Sequence, residues 1–95
     1  MGLQFEWDPK KAASNLRRHK VSFEEAATVF QDRLSVTVAD PDHSTEEDHW
    51  IIVGLSHRFR LLIVSHTERG NHIRIISARE LTLRERKEYE EGNWS

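Results

Sequence analysis

The chain has 95 residues, 37% hydrophobic and 32% charged, with a formal net charge of −2. That composition is too apolar for a disordered chain and supports one small core, so residues 1–95 are expected to form a single domain. No apolar run approaches the roughly 18 residues of a membrane span, and the lack of cysteine excludes disulfides, thiolate nucleophiles and Cys-ligated zinc.

Met1–Asp8 has neither a basic start nor an apolar core, so it does not read as a secretory signal, and a cytoplasmic location is expected. Leu3–Trp7 reads as a short strand. Asp8 and Pro9 signal a helix start, because Asp caps and Pro suits the first helical position. That helix is expected over Pro9–His19, with Ala12 and Leu16 on one face and Lys10, Lys11, Arg17 and Arg18 exposed. Ser22 and Glu25 have capping-box spacing, and Phe23, Ala26, Ala27 and Phe30 follow at helical spacing, so a second helix ends near Gln31.

Strands are expected at Leu34–Ala39, Trp50–Ser56, Phe59–His66 and His72–Ala78. The polar connection Asp40–Asp48 has room for one helical turn. The short turns at His57-Arg58 and Glu68–Asn71 make the last three strands an antiparallel meander. In that meander Leu61, Ile63, Ile73 and Ile75 are expected to bury one face against helices. Thr82 and Glu85 form a second capping box, opening a helix that runs to about Glu91 and stops at Gly92-Asn93. Between Leu83 and Glu91 its one other large apolar residue is Tyr89, so it buries little and is either loosely held or completed by a partner. The order β-α-α-β-β-β-β-α gives an α+β fold: two N-terminal helices and one C-terminal helix on a mostly antiparallel sheet.

Charge is unevenly spread. Residues 1–54 balance to −4 (6 basic, 10 acidic), residues 55–79 to +4 (5 basic, 1 acidic) and residues 80–95 to −2 (3 basic, 5 acidic). The positive segment carries Arg58, Arg60, Arg69, Arg74 and Arg79 on or beside strands. Alternation puts Arg60, Leu62, Val64 and His66 on one face of their strand, and His72, Arg74, Ile76 and Ala78 on one face of the next. Arginine in a strand must meet an anion or keep its head in water. Arg74 and Arg79 therefore either converge on a phosphate or pair with Glu6, Glu80 or Glu85, and spacing does not choose between these.

Other chemistries fit poorly. His43 and His49 flank Glu46, Glu47 and Asp48, but no His-Glu-x-x-His or calcium-loop pattern is present, so no metal is expected. Gly54-Leu55-Ser56 is not a nucleophile elbow, and no phosphate loop or dinucleotide fingerprint appears, so no cofactor is expected. Metal-free RNA cleavage needs a base for the 2′-hydroxyl, a cation for the phosphorane-like transition state and an acid for the leaving 5′-oxygen. Residues 66–89 hold all three types, as do many small proteins.

Several segments together carry a more specific signal: Phe5-Glu6-Trp7-Asp8-Pro9 with Lys11 and Asn15, His19 before Val21–Ala26, Phe30 with Asp32, His43-Ser44 with Glu47, and Arg74-Ile75-Ile76-Ser77-Ala78-Arg79 with Glu85-Arg86 and Tyr89. In this order, from Phe5 to Tyr89, they resemble the BrnT family of type II toxin–antitoxin toxins, related in fold to RelE-type messenger RNA endonucleases. The resemblance implies a ribonuclease that inhibits translation and a BrnA-like antitoxin that covers it. No helix-turn-helix pattern is visible here, so operator DNA is reached only through the antitoxin.

The resemblance places Arg74, Arg79, Glu85 and Tyr89 as catalytic candidates, with Glu85 or Tyr89 in proton transfer. The helix start should, if anything, lower the Glu85 pKa, which suits it as a base or as a clamp on an arginine, and Tyr89 suits an acid if nearby cations lower its pKa. Arg60, His66, Ser77 and Arg86 are candidates for binding RNA. Trp7 and Phe5 are expected in the core, and His19 at a helix end bonding free carbonyls. The chain departs from the family at Lys20 and Phe59, where members commonly have glycine, and at Arg33, where they have proline. A lysine at position 20 is strained if that position needs positive φ. The competing readings are a toxin homologue acting only through antitoxin binding and operon autoregulation, and an unrelated small enzyme for an anionic substrate. A homodimer is the other way to cover the last helix.

Overall fold

The computed structural model describes residues 2–43 and 48–93. Ser44 and Glu47 of the central motif, and Glu46 of the tested metal pattern, lie outside the described residues. A first strand, β1 (Gln4–Glu6), leads into helix α1 (Pro9–His19). The Asp8 carboxylate accepts the Lys10 N–H at 2.9 Å, and Pro9 opens the helix. Lys20 ends it in the left-handed region at φ 60°, ψ 30°, donating its N–H to the Leu16 carbonyl. Lysine thus occupies a conformation that favours glycine.

Helix α2 (Phe23–Thr28) continues as a turn of 3-10 helix, Val29–Gln31. Ser22 Oγ caps the Glu25 N–H at 3.0 Å. The expected capping box is only half made, because the Glu25 carboxylate turns inward to Ser56 and Arg60.

Strand β2 is Val36–Ala39. Leu34 and Ser35, expected in it, belong instead to a turn that Asp32 organises by accepting their N–H groups. Then follow a 3-10 turn Pro41–His43, β3 (His49–Leu55), β4 (Leu61–Arg69), β5 (His72–Glu80) and helix α3 (Leu83–Glu90). Phe59 and Arg60 precede β4 in a tight turn, with Phe59 at φ 62° and its N–H donated to the Ser56 carbonyl. α3 has the full capping box between Thr82 and Glu85.

The sheet order is β1-β5-β4-β3-β2, antiparallel except for the parallel β1–β5 pair. The expected α+β architecture is what forms. Both N-terminal helices pack on one face, where Val21, Phe23, Ala26, Val29, Ile52, Leu62, Val64, Ile73, Ile75 and Ala78 are buried. Each fully buried large side chain there contributes about 1.5–3 kcal/mol. Phe5 and Trp7 join this core as expected, with Trp7 edge-on to Phe23 at 5.9 Å. On α1 the buried residue is Asn15, while Leu16 is exposed, contrary to expectation. Asn15 pairs with the peptide of Ala78 in both directions, Nδ2 to O at 2.8 Å and N to Oδ1 at 3.0 Å. It stands where β5 has run past the end of β1.

One irregularity decides which side chains share a face. His66 pairs with Ile75 but Ser65 pairs with Ser77, so Ile76 is an extra residue in β5. Such a bulge reverses the alternation downstream. Ile73 and Ile75 face the helices before it and Ala78 after it, so Arg74 does not share a face with Ala78. Arg74, Ser77 and Arg79 share the opposite face, which neither N-terminal helix covers. On β4 the expectation for Leu61 and Ile63 is likewise corrected. Register puts them on that open face, and Leu62 and Val64 fill the core side.

Candidate active site

The open face is built by Val36 and Val38 of β2, Ile51 and Val53 of β3, Ile63 and Ser65 of β4, and Arg74, Ser77 and Arg79 of β5. A cleft of about 390 Å³ is lined by His19, Asp40, Asp42, Ile51, Ile63, Ser65, Ser77 and Arg79, among others. A neighbouring cleft of about 680 Å³ extends from Ile63 and Arg79 to Glu85, Glu88 and Asn93, so α3 borders the open face.

Arg79 is the best-defined cation here. Its Nη1 and Nη2 donate to the two Glu85 oxygens at 2.8 and 3.0 Å, and Nη1 also donates to the Glu80 carbonyl at 3.2 Å. Five guanidinium N–H groups minus these three leave Nε–H and one Nη2–H, a second fork suited to a phosphate. The Arg79 hydrogen bond, reinforced by the Thr82 N–H, lowers the Glu85 pKa from 4.5 to about 2. Glu85 is therefore ionised at neutral pH and too weak a base to take a proton from a hydroxyl. It holds the arginine.

Arg74 lies on the same face but apart. From its partner Thr67 to the Arg79 partner Ile63 is four residue steps along β4, about 13 Å at ~3.3 Å each. Its Nη1 donates to Glu6 at 2.8 Å in an exposed pair. Both pairings that the sequence left open, Arg74 with Glu6 and Arg79 with Glu85, are thus made.

The other candidates separate. His66 is 0% exposed in the core, edge-on to Phe30, with Nε2 2.8 Å from Glu68. It faces the helices, so RNA cannot reach it. Arg60 reaches to that side as well. It pairs with Glu25, donates to the Lys20 carbonyl at 3.0 Å and contacts Glu80 at 3.3 Å. Glu25 is 2% exposed, and the Arg60 hydrogen bond outweighs burial to lower its pKa. Arg60 is the clamp of a buried carboxylate.

Arg60 nevertheless lines, with Arg86 and Tyr89, a cleft apart from Arg79, whose other walls include Asp32, Leu34, Leu55, Phe59 and Leu81. The Tyr89 hydroxyl donates to the Leu34 carbonyl at 2.9 Å, and burial and then Asp32 raise its pKa. The nearby cations that would suit Tyr89 to proton transfer do not lower it.

His19 is the residue that the sequence reading assigned elsewhere. The end of α1 brings it into the cleft with Ser77 and Arg79. The signal was its place in the motif before Val21, but only the packing of α1 along β5 makes it a neighbour of Arg79. Among the described residues no three His, Asp or Glu side chains group as metal ligands, and no helix is long and apolar enough to cross a membrane.

The sequence model described as "Ribonuclease toxin, BrnT, of type II toxin-antitoxin system" matches residues 7–85. The chain belongs to the BrnT family. A search of curated protein sequences finds no match. Among solved structures, the Brucella abortus ribonuclease toxin BrnT superposes with a TM-score of 0.66 at 16% identity, covering 84% of this chain and 97% of that one. At that identity the likeness speaks for the fold, and the family match carries the general role of a toxin–antitoxin ribonuclease.

Proposed function

We propose that this BrnT chain is a metal-independent endoribonuclease whose cutting of RNA inhibits translation, and that a cognate BrnA-like antitoxin neutralises it and carries any operator binding. The observation that carries the reading is Arg79, held bidentately by Glu85 in a cleft that Ser77 and His19 also line, with one guanidinium fork unused.

In this mechanism the free fork of Arg79 holds the scissile phosphate and stabilises the charge that builds on its oxygens in the transition state. His19, whose imidazole lines the same cleft as Arg79, takes the proton from the 2′-hydroxyl. The 2′-oxygen bonds to phosphorus, and the 5′-oxygen leaves with a proton from solvent, which the open cleft admits. The products are a 2′,3′-cyclic phosphate and a 5′-hydroxyl. Ser77 donates to a phosphate oxygen. Glu85 and Tyr89, candidates for proton transfer, serve instead as the Arg79 clamp and as an anchor of α3. Arg74, about 13 Å away, meets a different phosphate of the same strand.

The test is inducible expression in a growing bacterium with primer-extension mapping of cellular RNA. Growth arrest with new RNA ends, both suppressed by the neighbouring antitoxin gene, is expected. Undamaged RNA in arrested or normally growing cells contradicts it. A second reading, an inactive homologue acting through its antitoxin, is favoured by the carboxylates that pair with both Arg79 and Arg74. It predicts no new ends but intact antitoxin binding.

A further inference from the structure

The positive charge that can act at a distance is not where the sequence concentrates it. Arg58, Arg60, Arg69, Arg74, Arg79, Arg84 and Arg86 each lie within 4.0 Å of a carboxylate: Glu25, Glu80, Asp48, Glu6, Glu85, Glu88 or Glu90. The +4 balance of residues 55–79 is largely neutralised by partners from the rest of the chain. α1 differs. From Pro9 to His19 it holds Lys10, Lys11, Arg17 and Arg18 and no acidic residue, and none of these four makes an ion pair with a described residue. In a chain of net charge −2 this is a cationic helix surface whose four charges have no ion-pair partner among the described residues, although Asp40 and Asp42 line the neighbouring cleft.

Its position is specific. Lys11, Ser14, Arg18 and His19 line one side of a cleft whose other side is Ile76 and Ser77 of β5. His19, Ile76 and Ser77 also line the cleft that contains Arg79, so the two clefts join. Lys11 and Arg18 are seven residues apart, about 10 Å along one helix face at ~1.5 Å per residue. That spacing matches two separate phosphates rather than one.

We infer that α1 is the docking helix for the RNA strand flanking the cut, with Lys11 and Arg18 each holding a phosphate as the strand leaves the Arg79 cleft over the edge of β5. This rests on the proposed RNA cleavage and adds to it the path of the substrate. Lys10 and Arg17, turned away from the cleft lining, supply general attraction only.

The experiment compares wild-type protein with Lys11→Gln/Arg18→Gln and Lys10→Gln/Arg17→Gln, both removing two exposed charges. It measures cleavage of a single-stranded RNA oligonucleotide over a range of salt, and binding of its non-cleavable 2′-O-methyl analogue by fluorescence anisotropy. The Lys11/Arg18 variant should raise KM and the analogue Kd on the order of tenfold with kcat unchanged. Its log–log salt slope should fall by about 1.4, about 0.7 per single-strand phosphate contact. The Lys10/Arg17 variant should change less. Equal effects of the two variants, or an unchanged slope for Lys11/Arg18, overturn the docking path while leaving cleavage standing. Weakened antitoxin binding with unaltered RNA binding also overturns it, assigning the surface to an acidic protein partner. Wild-type protein that neither binds nor cuts RNA overturns the cleavage reading and this one with it.

Discussion

At the scale of single residues, stability and the proposed chemistry rest on different arginines. Arg60 serves stability, because Glu25 is almost wholly buried and its charge is balanced there by Arg60 and Ser56. Removing one partner of a buried pair leaves an uncompensated charge. Arg60→Ala should therefore cost about 3–5 kcal/mol in denaturant unfolding, whereas breaking the exposed Arg84–Glu88 pair should cost about 0.3–0.5 kcal/mol. Equal losses would show that the Glu25 site is solvated. Lys20 offers the opposite sign. Its left-handed conformation costs about 1–2 kcal/mol for a residue with a Cβ. Lys20→Gly relieves this, offset in part by the greater freedom of the unfolded glycine chain, so the melting temperature should rise. A fall would mean that the lysine side chain has a stabilising contact of its own.

At the scale of elements, α3 is the least anchored. None of its residues is buried, and Leu83 is 88% exposed. Among the described residues, its side-chain hydrogen bonds to the rest of the fold are Glu85 with Arg79 and Tyr89 with the Leu34 carbonyl. Hydrogen exchange should find α3 amides among the fastest in the isolated protein and markedly slower with antitoxin bound. Equal protection in both states would refute a partner-completed helix. This weakness was legible in the sequence, as were every helix, the cap at Thr82 and the meander, because each depends on neighbours within a few residues. The bulge at Ile76 was not legible. It arises from the pairing of β5 with β4, and through it the face of Ala78 was misassigned. Leu61 and Ile63 were misassigned for another reason: both faces of β4 are apolar there, so alternation separates Leu61 and Ile63 from Leu62 and Val64 without saying which pair meets the helices. His66 was placed on the right face, with Leu62 and Val64, but that face proved to be the core. His19 escaped for a related reason: its functional neighbours come from a strand 58 or more residues away in sequence, brought close by Asn15 and the parallel β1–β5 pair.

At the scale of the molecule, one sheet divides two tasks: the face that carries α1 and α2 holds the core, and the face that α3 borders carries the proposed Arg79 site, which His19 reaches from the end of α1. Acid should attack both. The folded-state pKa of Glu85 lies near 2, below its ordinary 4.5, and that of Glu25 is also lowered. Stability from a depressed carboxylate is fully present above the ordinary value and is lost as pH falls through the folded one. Melting temperature should thus decline between about pH 4.5 and 2, and Glu85→Gln should flatten part of that decline. An identical pH profile in the variant would remove Glu85 from the balance.

The central claim is that Arg79 stabilises the transition state of RNA cleavage on the open face. Single-turnover cleavage of an RNA oligonucleotide by purified wild-type and Arg79→Ala protein tests it most directly, with circular dichroism and antitoxin binding measured on the same samples. The account predicts a folded, antitoxin-binding variant whose cleavage rate is lower by about 10²–10³, or about 3–4 kcal/mol. A folded variant that cleaves at the wild-type rate would contradict it.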